Sequence, residues 1–328
     1  MLTPAYKLTV GDRIVDSTEE PRASALTDLT VALDMDVPAD SFALLFGRVG
    51  GLSPERDDDA SIELGYADGD LKKVMTGTVA STEPGLKSMR VIGYSRAAVL
   101  LRNFSELTFE GKTAGSIVQD LADKAGVDVA QADNGIAFPY YVIDGRRSFY
   151  GHMKDLADLS GLDLYIDPEG KLVLKRFTGG RTMHVLEYGK HILEVDVHEA
   201  APLAGSIEAW GESPGGGSAE EAWAWLTKDF GGSLGKAGSG SPKLLVERSA
   251  LRTARAAKTA AEAILTDVQR RSIRGRLSIT GRPEVLLGDS IRLSGIPSGP
   301  EGTFQVRSII HRITKAGGFT TAIGFRSI

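Results

Sequence analysis

Cysteine is absent from the 328-residue chain. Neither disulfides nor a thiolate metal site can hold the fold, which must depend on packing or on oligomerisation. The sequence also lacks any stretch of about 18 uninterrupted apolar residues, which excludes a transmembrane helix. Its start, MLTPAYKLTVGDRIV, lacks the basic flank and the apolar run of a signal peptide. We therefore expect a protein that is made in a cytoplasm and does not pass through general secretion.

A strong charge of one sign is also missing. The chain has 38 basic and 43 acidic residues, a formal net charge of -5, and this balance gives no electrostatic case for a nucleic-acid partner. It leaves room for a local basic patch. The hydrophobic fraction of 42% and the charged fraction of 25% are ordinary for folded soluble domains. The length predicts roughly two domains, and 39 glycines predict many turns.

What the first 100 residues contain is a pattern of β-strands. Apolar and polar residues alternate in four short runs, and turn residues separate the runs. The pair Asp68-Gly69 favours a tight hairpin. Several short strands at this spacing predict a small barrel or sandwich. The runs centre on Leu8, Val31, Leu64 and Val91.

The periodicity changes to a helical one between residues 101 and 178. Thr113 precedes an amphipathic pattern that stops at Gly126, and a second pattern begins at Phe149 and stops at Gly161. The two helix ends repeat each other, DLADKAGVDV beside DLADLSGLDL. A hairpin with its turn at residues 167–170 follows the second. These features predict an α/β domain.

Strand patterns return after residue 179, with candidate strands at residues 183–186, 192–197 and 207–210. Glycine, serine and alanine then dominate residues 211–242, which predicts an excursion loop of low intrinsic order. Trp223 and Trp225 lie within it. Since two tryptophans are costly to leave in water, we expect them to pack either on a neighbouring subunit or on the barrel of their own chain.

The last quarter of the chain combines one helix with four β segments. Small residues recur at helical spacing near residues 251–271, and four alternating segments follow without a linker. In the last segment Phe319, Thr321, Ile323 and Phe325 share one face, while Arg326 lies on the other. We expect one buried face and one solvated face.

Two short motifs resemble catalytic or nucleotide-binding sequences without their context. Residues 211–215 fit G-x-S-x-G, but Pro214 follows Ser213 and has no N–H for an oxyanion hole. Gly111-Lys112-Thr113 resembles the end of a phosphate-binding loop, yet Glu106 stands where its first glycine would be. We interpret Lys112 and Thr113 as the start of a helix.

Histidines and carboxylates give no defined site. His184, His191 and His198 recur every seven residues, a spacing that alternates faces on a strand and does not converge on a metal. We expect surface or interface histidines. Asp34 and Asp36 could in principle supply the acid and base of a glycosidase, but nothing selects this pair over others. We therefore assign no catalytic, cofactor-binding or metal residue.

One long segment carries a family resemblance. It reads GRLSITGRPEVLLGDSIRLSGIPSGPEGTFQVRSIIHRI and contains Gly281 and Pro283, the Gly288-Asp289 turn, a Gly302-x-Phe304-x-Val306 strand and His311 just past that strand. It resembles the closing module of the phage late control gene D family, the central baseplate hub proteins of contractile tails and contractile injection systems. Residues 149–174 are similar to the α/β domain that this family inserts between two barrels.

The resemblance implies a mainly β fold with an α+β insertion. Two small, tube-like antiparallel β-barrels would flank an α/β domain, with one long helix before the last strands. The expected boundaries are 1–100 for the first barrel, 101–178 for the inserted domain and 179–328 for the second barrel. The strands from Tyr6 to Tyr94 should then superpose on those from Arg276 to Ile328.

The resemblance also implies a structural role without catalysis or cofactors. Three copies would form a ring that adapts the sixfold inner tube to the threefold spike, in a particle assembled in the bacterial cytoplasm. Expected partners are the chain itself, an inner tube protein, baseplate wedge components and, because the hub sequence ends at Ile328, a separate spike protein. Membrane insertion and specific nucleic-acid binding are not expected. A peptidoglycan-degrading or carbohydrate-binding tail-tip protein remains the alternative, and a phage tail, a phage-derived injection particle and a type VI relative all stay open.

Overall fold

The computed structural model describes residues 3–19, 26–47, 54–211, 234–297 and 299–328. Its first part is the predicted run of β-strands, and along most of these strands buried residues alternate with more exposed ones. The hairpin across Asp68-Gly69 forms, with the N–H of Gly69 donating to the carbonyl of Tyr66 at 3.0 Å. The strands are β1 (Pro4–Val10), β2 (Arg13–Asp16), β3 (Leu26–Asp34), β4 (Ser41–Gly47), β5 (Asp59–Tyr66), β6 (Lys72–Pro84) and β7 (Ser88–Ser95).

The inserted segment begins after β7. Both predicted helices are confirmed together with their ends, because Thr113 and Ser148 cap the two N-termini and Gly126 and Gly161 close the C-termini at φ of 69° and 65°. A short helix, α1, precedes them and was not predicted. The elements are α1 (Ala97–Arg102), β8 (Leu107–Thr113), α2 (Ala114–Ala125), β9 (Val129–Ala132), β10 (Ala137–Ile143), α3 (Phe149–Ser160), β11 (Asp163–Ile166) and β12 (Leu172–Lys175).

The strands predicted after residue 179 are confirmed, while the extent of the excursion loop is corrected. A strand, β16, lies inside the range predicted as the loop and pairs with β15. Gly235 is needed there because a Cβ would lie 2.1 Å from the carbonyl carbon of Ala257. Trp223 and Trp225 lie outside the described residues. The elements are β13 (Met183–Glu187), β14 (Ile192–Glu199), β15 (Ser206–Trp210), β16 (Gly235–Gly238), β17 (Lys243–Glu247) and α4 (Ala254–Arg270).

The small-residue face of α4 is confirmed, since five of its alanines are buried, although Ala254 is exposed. This face packs against β15, β16 and α3. Buried residues within 204–209 and 251–261 thus share one apolar core with the inserted segment. The predicted domain boundaries stay a prediction.

Four strands end the described chain. Phe319, Thr321, Ile323 and Phe325 are buried on one face, as predicted. The prediction that Arg326 lies on a solvated face is wrong, because this residue is buried as well. The strands are β18 (Ile273–Thr280), β19 (Ser290–Ser294), β20 (Gly302–Thr314) and β21 (Gly318–Ser327).

Strands from both ends of the described chain form one curled, mainly antiparallel sheet of 13 strands. The mainly β fold is confirmed, with four helices and small additional sheets beside the large one. The two flanking units are not separate in the sheet, because β3 pairs with β20 over residues 28–34 and 308–314. A single apolar core runs beneath both units. The strands follow the order β14-β18-β21-β20-β3-β4-β7-β6-β5-β1-β2, with β19 and β13 branching from β20.

The sheet repeats one topology in its two halves. In the first half the neighbours are β3-β4-β7-β6-β5, and in the second half they are β14-β18-β21-β20-β19. When the two orders are aligned, the strands β3, β4, β5, β6 and β7 correspond to β14, β18, β19, β20 and β21, so both halves also follow the same order along the chain. All the paired neighbours in both orders are antiparallel. The likeness ends one strand further on, where β1 pairs antiparallel with β5 but β13 pairs parallel with β19.

Candidate functional site

The most unusual side chain at the junction between the sheet and the inserted segment is Arg307. The register of β20 against β21 shifts between Val306 and Ser308, which makes Arg307 the extra residue of a β-bulge. A bulge re-aims a side chain out of the regular alternation of a strand. Only 8% of Arg307 is exposed, so its charge must find partners inside the protein.

Those partners come from two distant parts of the chain. Nη1 of Arg307 donates to Oδ1 of Asp163, at the start of β11, at 2.5 Å. Nη2 donates to Oδ1 of Asp36, just after β3, at 2.6 Å. A guanidinium fork suits such multiple bonds to carboxylates. The first half, the inserted segment and the last strands are therefore tied together by one side chain.

A second arginine extends this arrangement towards α4. Nη1 of Arg326 donates to Oδ1 of Asp267 at 2.7 Å, and its Nε donates to Oε1 of Gln305 at 3.0 Å. Nε2 of Gln305 donates in turn to Oδ2 of Asp163 at 2.6 Å. Removing one member of such a buried network leaves a charge without compensation. We refer to these residues as the junction cluster: Asp36, Asp163, Asp267, Gln305, Arg307 and Arg326.

The carboxylate pair considered for glycosidase chemistry belongs to this junction. Burial would raise the pKa of Asp36, but its hydrogen bonding to Arg307 and the positive charges around it together outweigh burial and hold the pKa below its usual range. Burial raises the pKa of Asp34, and its Oδ1 accepts from the backbone N–H of Asp36 at 2.7 Å. Both carboxylates line an open groove of about 450 Å³. Since Arg307 holds Asp36 through two nitrogens, Asp36 is a member of the junction cluster, and Asp34 contacts that cluster through the backbone of Asp36.

Asp40 is a buried carboxyl on the same side of the sheet. It lies directly before β4, and its Oδ1 accepts from the backbone N–H of Asp34 at 2.9 Å. Only 5% of Asp40 is exposed. Burial raises the pKa of Asp40 to about 7. The group therefore changes its charge near neutral pH.

His311 lies in the interior of β20, which corrects its predicted position just past a strand. It is fully buried, and its Nδ1 lies 3.0 Å from Oγ1 of Thr321. Its ring centroid is 5.9 Å from that of Phe319. Nε2 has no hydrogen-bond partner among the described residues. Burial lowers the pKa of His311 to about 3, so the ring packs in its neutral form.

The three evenly spaced histidines have separate surroundings. His184 is buried, which corrects its assignment to a surface or interface, and its Nε2 lies 3.0 Å from Oδ2 of Asp289. Nδ1 of His191 accepts from the backbone N–H of Glu187, and His198 is exposed on β14. Across the described ranges, no three His, Cys, Asp or Glu side chains are grouped so that they could hold a metal ion.

The Gly111-Lys112-Thr113 motif ends strand β8 and leads into α2, so the predicted helix start is correct for Thr113, its N-cap, but wrong for Lys112, which lies in the strand. Oγ1 of Thr113 accepts from the N–H of Ser116 in the first turn of α2. Lys112 forms an ion pair with Asp120 of the same helix, and its Nζ lies 5.4 Å from the ring centroid of Phe109. Ser213 and Pro214 of the other motif lie outside the described residues. In the part of the chain that the structure describes, no helix is long and apolar enough to cross a membrane.

The fold formed by this curled sheet and its insertion is similar to that of phage tail proteins and of a type VI secretion component. The chain matches a 43 kDa tail protein of prophage MuSo2 from Shewanella oneidensis with a TM-score of 0.76 and 16% identity, over 99% of this chain and 98% of the other. A tail protein from Neisseria meningitidis matches with a TM-score of 0.73 and 16% identity, over 99% and 96%.

A third structure comes from a secretion system. It is an Escherichia coli component of the type VI secretion system that is similar to the T4 bacteriophage tail proteins gp27 and gp5. It matches with a TM-score of 0.60 and 10% identity, over 98% of this chain and 76% of the other. No protein-family model and no curated protein matches the sequence. At these identities the likeness establishes the fold.

Proposed function

We propose that this chain is a structural hub of a phage tail or of a related contractile injection particle, assembled in the bacterial cytoplasm. The observation that supports this role most directly is the fold match to two tail proteins, which spans 99% of this chain and at least 96% of each tail protein. A match over whole chains covers the sheet, the insertion and the last strands together. The role requires no reaction and no cofactor.

The repeated topology gives this hub a symmetry. Each copy would contribute two barrel-like units, one from residues 1–100 and one from residues 179–328, with residues 101–178 inserted between them. Three copies in a closed ring would then offer six similar units to a sixfold inner tube and three identical faces to a threefold spike. Closed cyclic assemblies are the usual form of homo-oligomers. The proposed partners are therefore a second and third copy, an inner tube protein, a separate spike protein and baseplate wedge components.

The role can be tested by deleting the gene from its phage or particle cluster and supplying it again in trans. We expect the deletion to stop the assembly of complete tails, and complementation to restore it. The purified chain should be a trimer by light scattering and should co-purify with the tube and spike proteins. Normal particles in the deletion strain, together with a chain that binds neither protein, would refute the proposal.

The alternative of a wall-degrading or sugar-binding protein has its own readout. Hydrolysis of purified peptidoglycan by the chain alone would favour an enzyme, and thermal stabilisation by sugars would favour a binding module. The hydrogen bonds from Arg307 to Asp36 favour neither activity at the pair Asp34 and Asp36.

A further inference from the structure

The two halves of the sheet repeat each other down to their irregularities. In β3 the register against β4 shifts between Leu26 and Asp28, and in β14 it shifts against β18 between Ile192 and Glu194. Both shifts lie at the start of the strand, and both place one extra residue on it. Bulges are reproducible features of a fold, so β14 is the equivalent of β3.

A second pair of bulges aligns the two longest strands. In β6 the register against β7 shifts between Val79 and Ser81, and in β20 it shifts against β21 between Val306 and Ser308. Both strands have 13 residues. Counting from the bulges, Ser81 corresponds to Ser308. The strand β6 is therefore the equivalent of β20.

The contact between the halves involves these equivalent strands. Beyond its bulge, β20 leaves β19 and pairs antiparallel with β3 over residues 308–314. Ile310 lies opposite Ala32 in this pairing. One half is thus joined to the other through the far end of β20 and the outer edge of β3.

The equivalent edges are without a partner strand among the described residues. In β6, the strand β5 pairs only as far as Thr78, and residues 81–84 have β7 on one side alone. In β14, residues 193–199 have only β18 beside them. The described part of the chain therefore carries one used copy and one unused copy of the same strand-to-strand contact.

Burial along β14 matches a missing neighbour. Leu29 and Val31 of β3 are fully buried between β4 and β20. Their counterparts in β14, counted from the bulge, are Val195 and Val197, and both remain partly exposed. A β-branched pair at the edge of a core favours the arrival of another strand.

We propose that residues 81–84 of β6 pair antiparallel with the outer edge of β14 in a second copy of this chain. This inference rests on the proposed ring and names its contact. The register follows from that of β20 on β3, so Glu83 lies opposite His198 of the partner subunit, as Ile310 lies opposite Ala32. The two surfaces differ, which makes the contact heterologous, and a heterologous contact closes into a ring when its rotation allows. Pro84 ends the pairing edge, since proline cannot donate to a ladder.

The absence of cysteine permits a direct test. Glu83→Cys and His198→Cys are both at exposed positions, and directly paired strand residues lie within the Cα separation that a disulfide spans. Under mild oxidation, each single variant alone should stay uncross-linked, and a mixture of the two should give a covalent dimer. The double variant should give a ladder that ends at the trimer. Ile310→Cys with Ala32→Cys is the matched control, because it should link within one chain.

The outcomes separate this contact from the ring itself. The reactions are run on the purified full chain and on assembled particles. Trimers by light scattering that show no link in either sample, while the control pair links, overturn the strand contact and leave the ring intact. Links within a single variant indicate a like-to-like contact and also overturn it. A ladder that continues past the trimer supports the contact but refutes closure at three. A chain that remains monomeric and unlinked refutes both.

Discussion

Asp40 and His311 are expected to give the stability of the fold two opposite pH dependences. Burial raises the pKa of Asp40 from 3.8 to about 7, so the folded chain keeps a proton that the unfolded chain releases, and stability falls as the pH rises between these values. Burial lowers the pKa of His311 from 6.5 to about 3. The unfolded chain then binds a proton that the folded chain does not, and stability falls as the pH drops through that range.

The two effects nearly cancel in the unmodified protein. Between pH 8 and pH 5, the contribution of Asp40 to the free energy of unfolding rises by about 3 kcal/mol, because the folded chain holds the extra proton over about two pH units at about 1.4 kcal/mol per unit. Over the same interval the contribution of His311 to the free energy of unfolding falls by about 2 kcal/mol, because the unfolded chain holds the extra proton over about 1.5 pH units. Their sum is only about 1 kcal/mol. A shallow profile would therefore conceal two strong titrations.

Single substitutions separate the two contributions. The free energy of unfolding is measured by urea denaturation at pH 5 and pH 8 for Asp40→Asn, His311→Asn and the parent. On moving to pH 5, Asp40→Asn should lose about 3 kcal/mol relative to the parent, and His311→Asn should gain about 2 kcal/mol. Groups that do not interact with the substituted side chain cancel in these differences. If either variant follows the parent at both pH values, the corresponding side chain titrates normally and the explanation by burial is wrong.

Two further comparisons test the junction and the close-packed glycines by urea denaturation. Asp163→Asn should destabilise the fold by about 3–5 kcal/mol because it leaves Arg307 underpaired. The control Glu169→Gln removes an exposed ion pair with a lysine and should cost less than about 1 kcal/mol. Similar costs for the two variants would contradict a special role for the junction cluster. Gly93→Ala places a Cβ 2.1 Å from a ring carbon of Phe42 and should lower the free energy of unfolding by about 3 kcal/mol. Gly126→Ala should lower it by about 1–2 kcal/mol, because only the φ of 69° opposes the change there. A smaller loss for Gly93→Ala than for Gly126→Ala would show that the ring moves aside.

Local features of the sequence were enough to predict much of the fold. Thr113 and Gly126 mark the ends of a helix by themselves, since a cap depends on residues within one turn. The alternation that ends in Phe325 likewise defines a buried face from neighbours two residues apart. Where chemistry and spacing act over a few residues, the pattern and the structure agree.

The junction cluster depends on distances that a sequence pattern does not contain. Arg307 meets Asp36 and Asp163, which lie 271 and 144 positions away, and it does so from a bulge that interrupts the alternation. Arg326 carried a signal, a charge on a strand rich in apolar residues, but its partners were not evident. The repeat of the two halves was also hidden, because topology and bulges recur while the side chains differ, as with Ala80 at the bulge of β6 and Arg307 at that of β20.

The sharing of β20 between the two halves makes their connection mechanically directional. Seven residue pairs join β20 to β3. A pull along the strands would shear these pairs together, so that all must yield in one event. A pull across the strands would unzip them one after another, each at a small cost. A connection of this kind resists a force along β20 far better than a force that peels the two halves apart from the side. In the proposed hub, the orientation of β20 relative to the direction of contraction would decide which resistance applies.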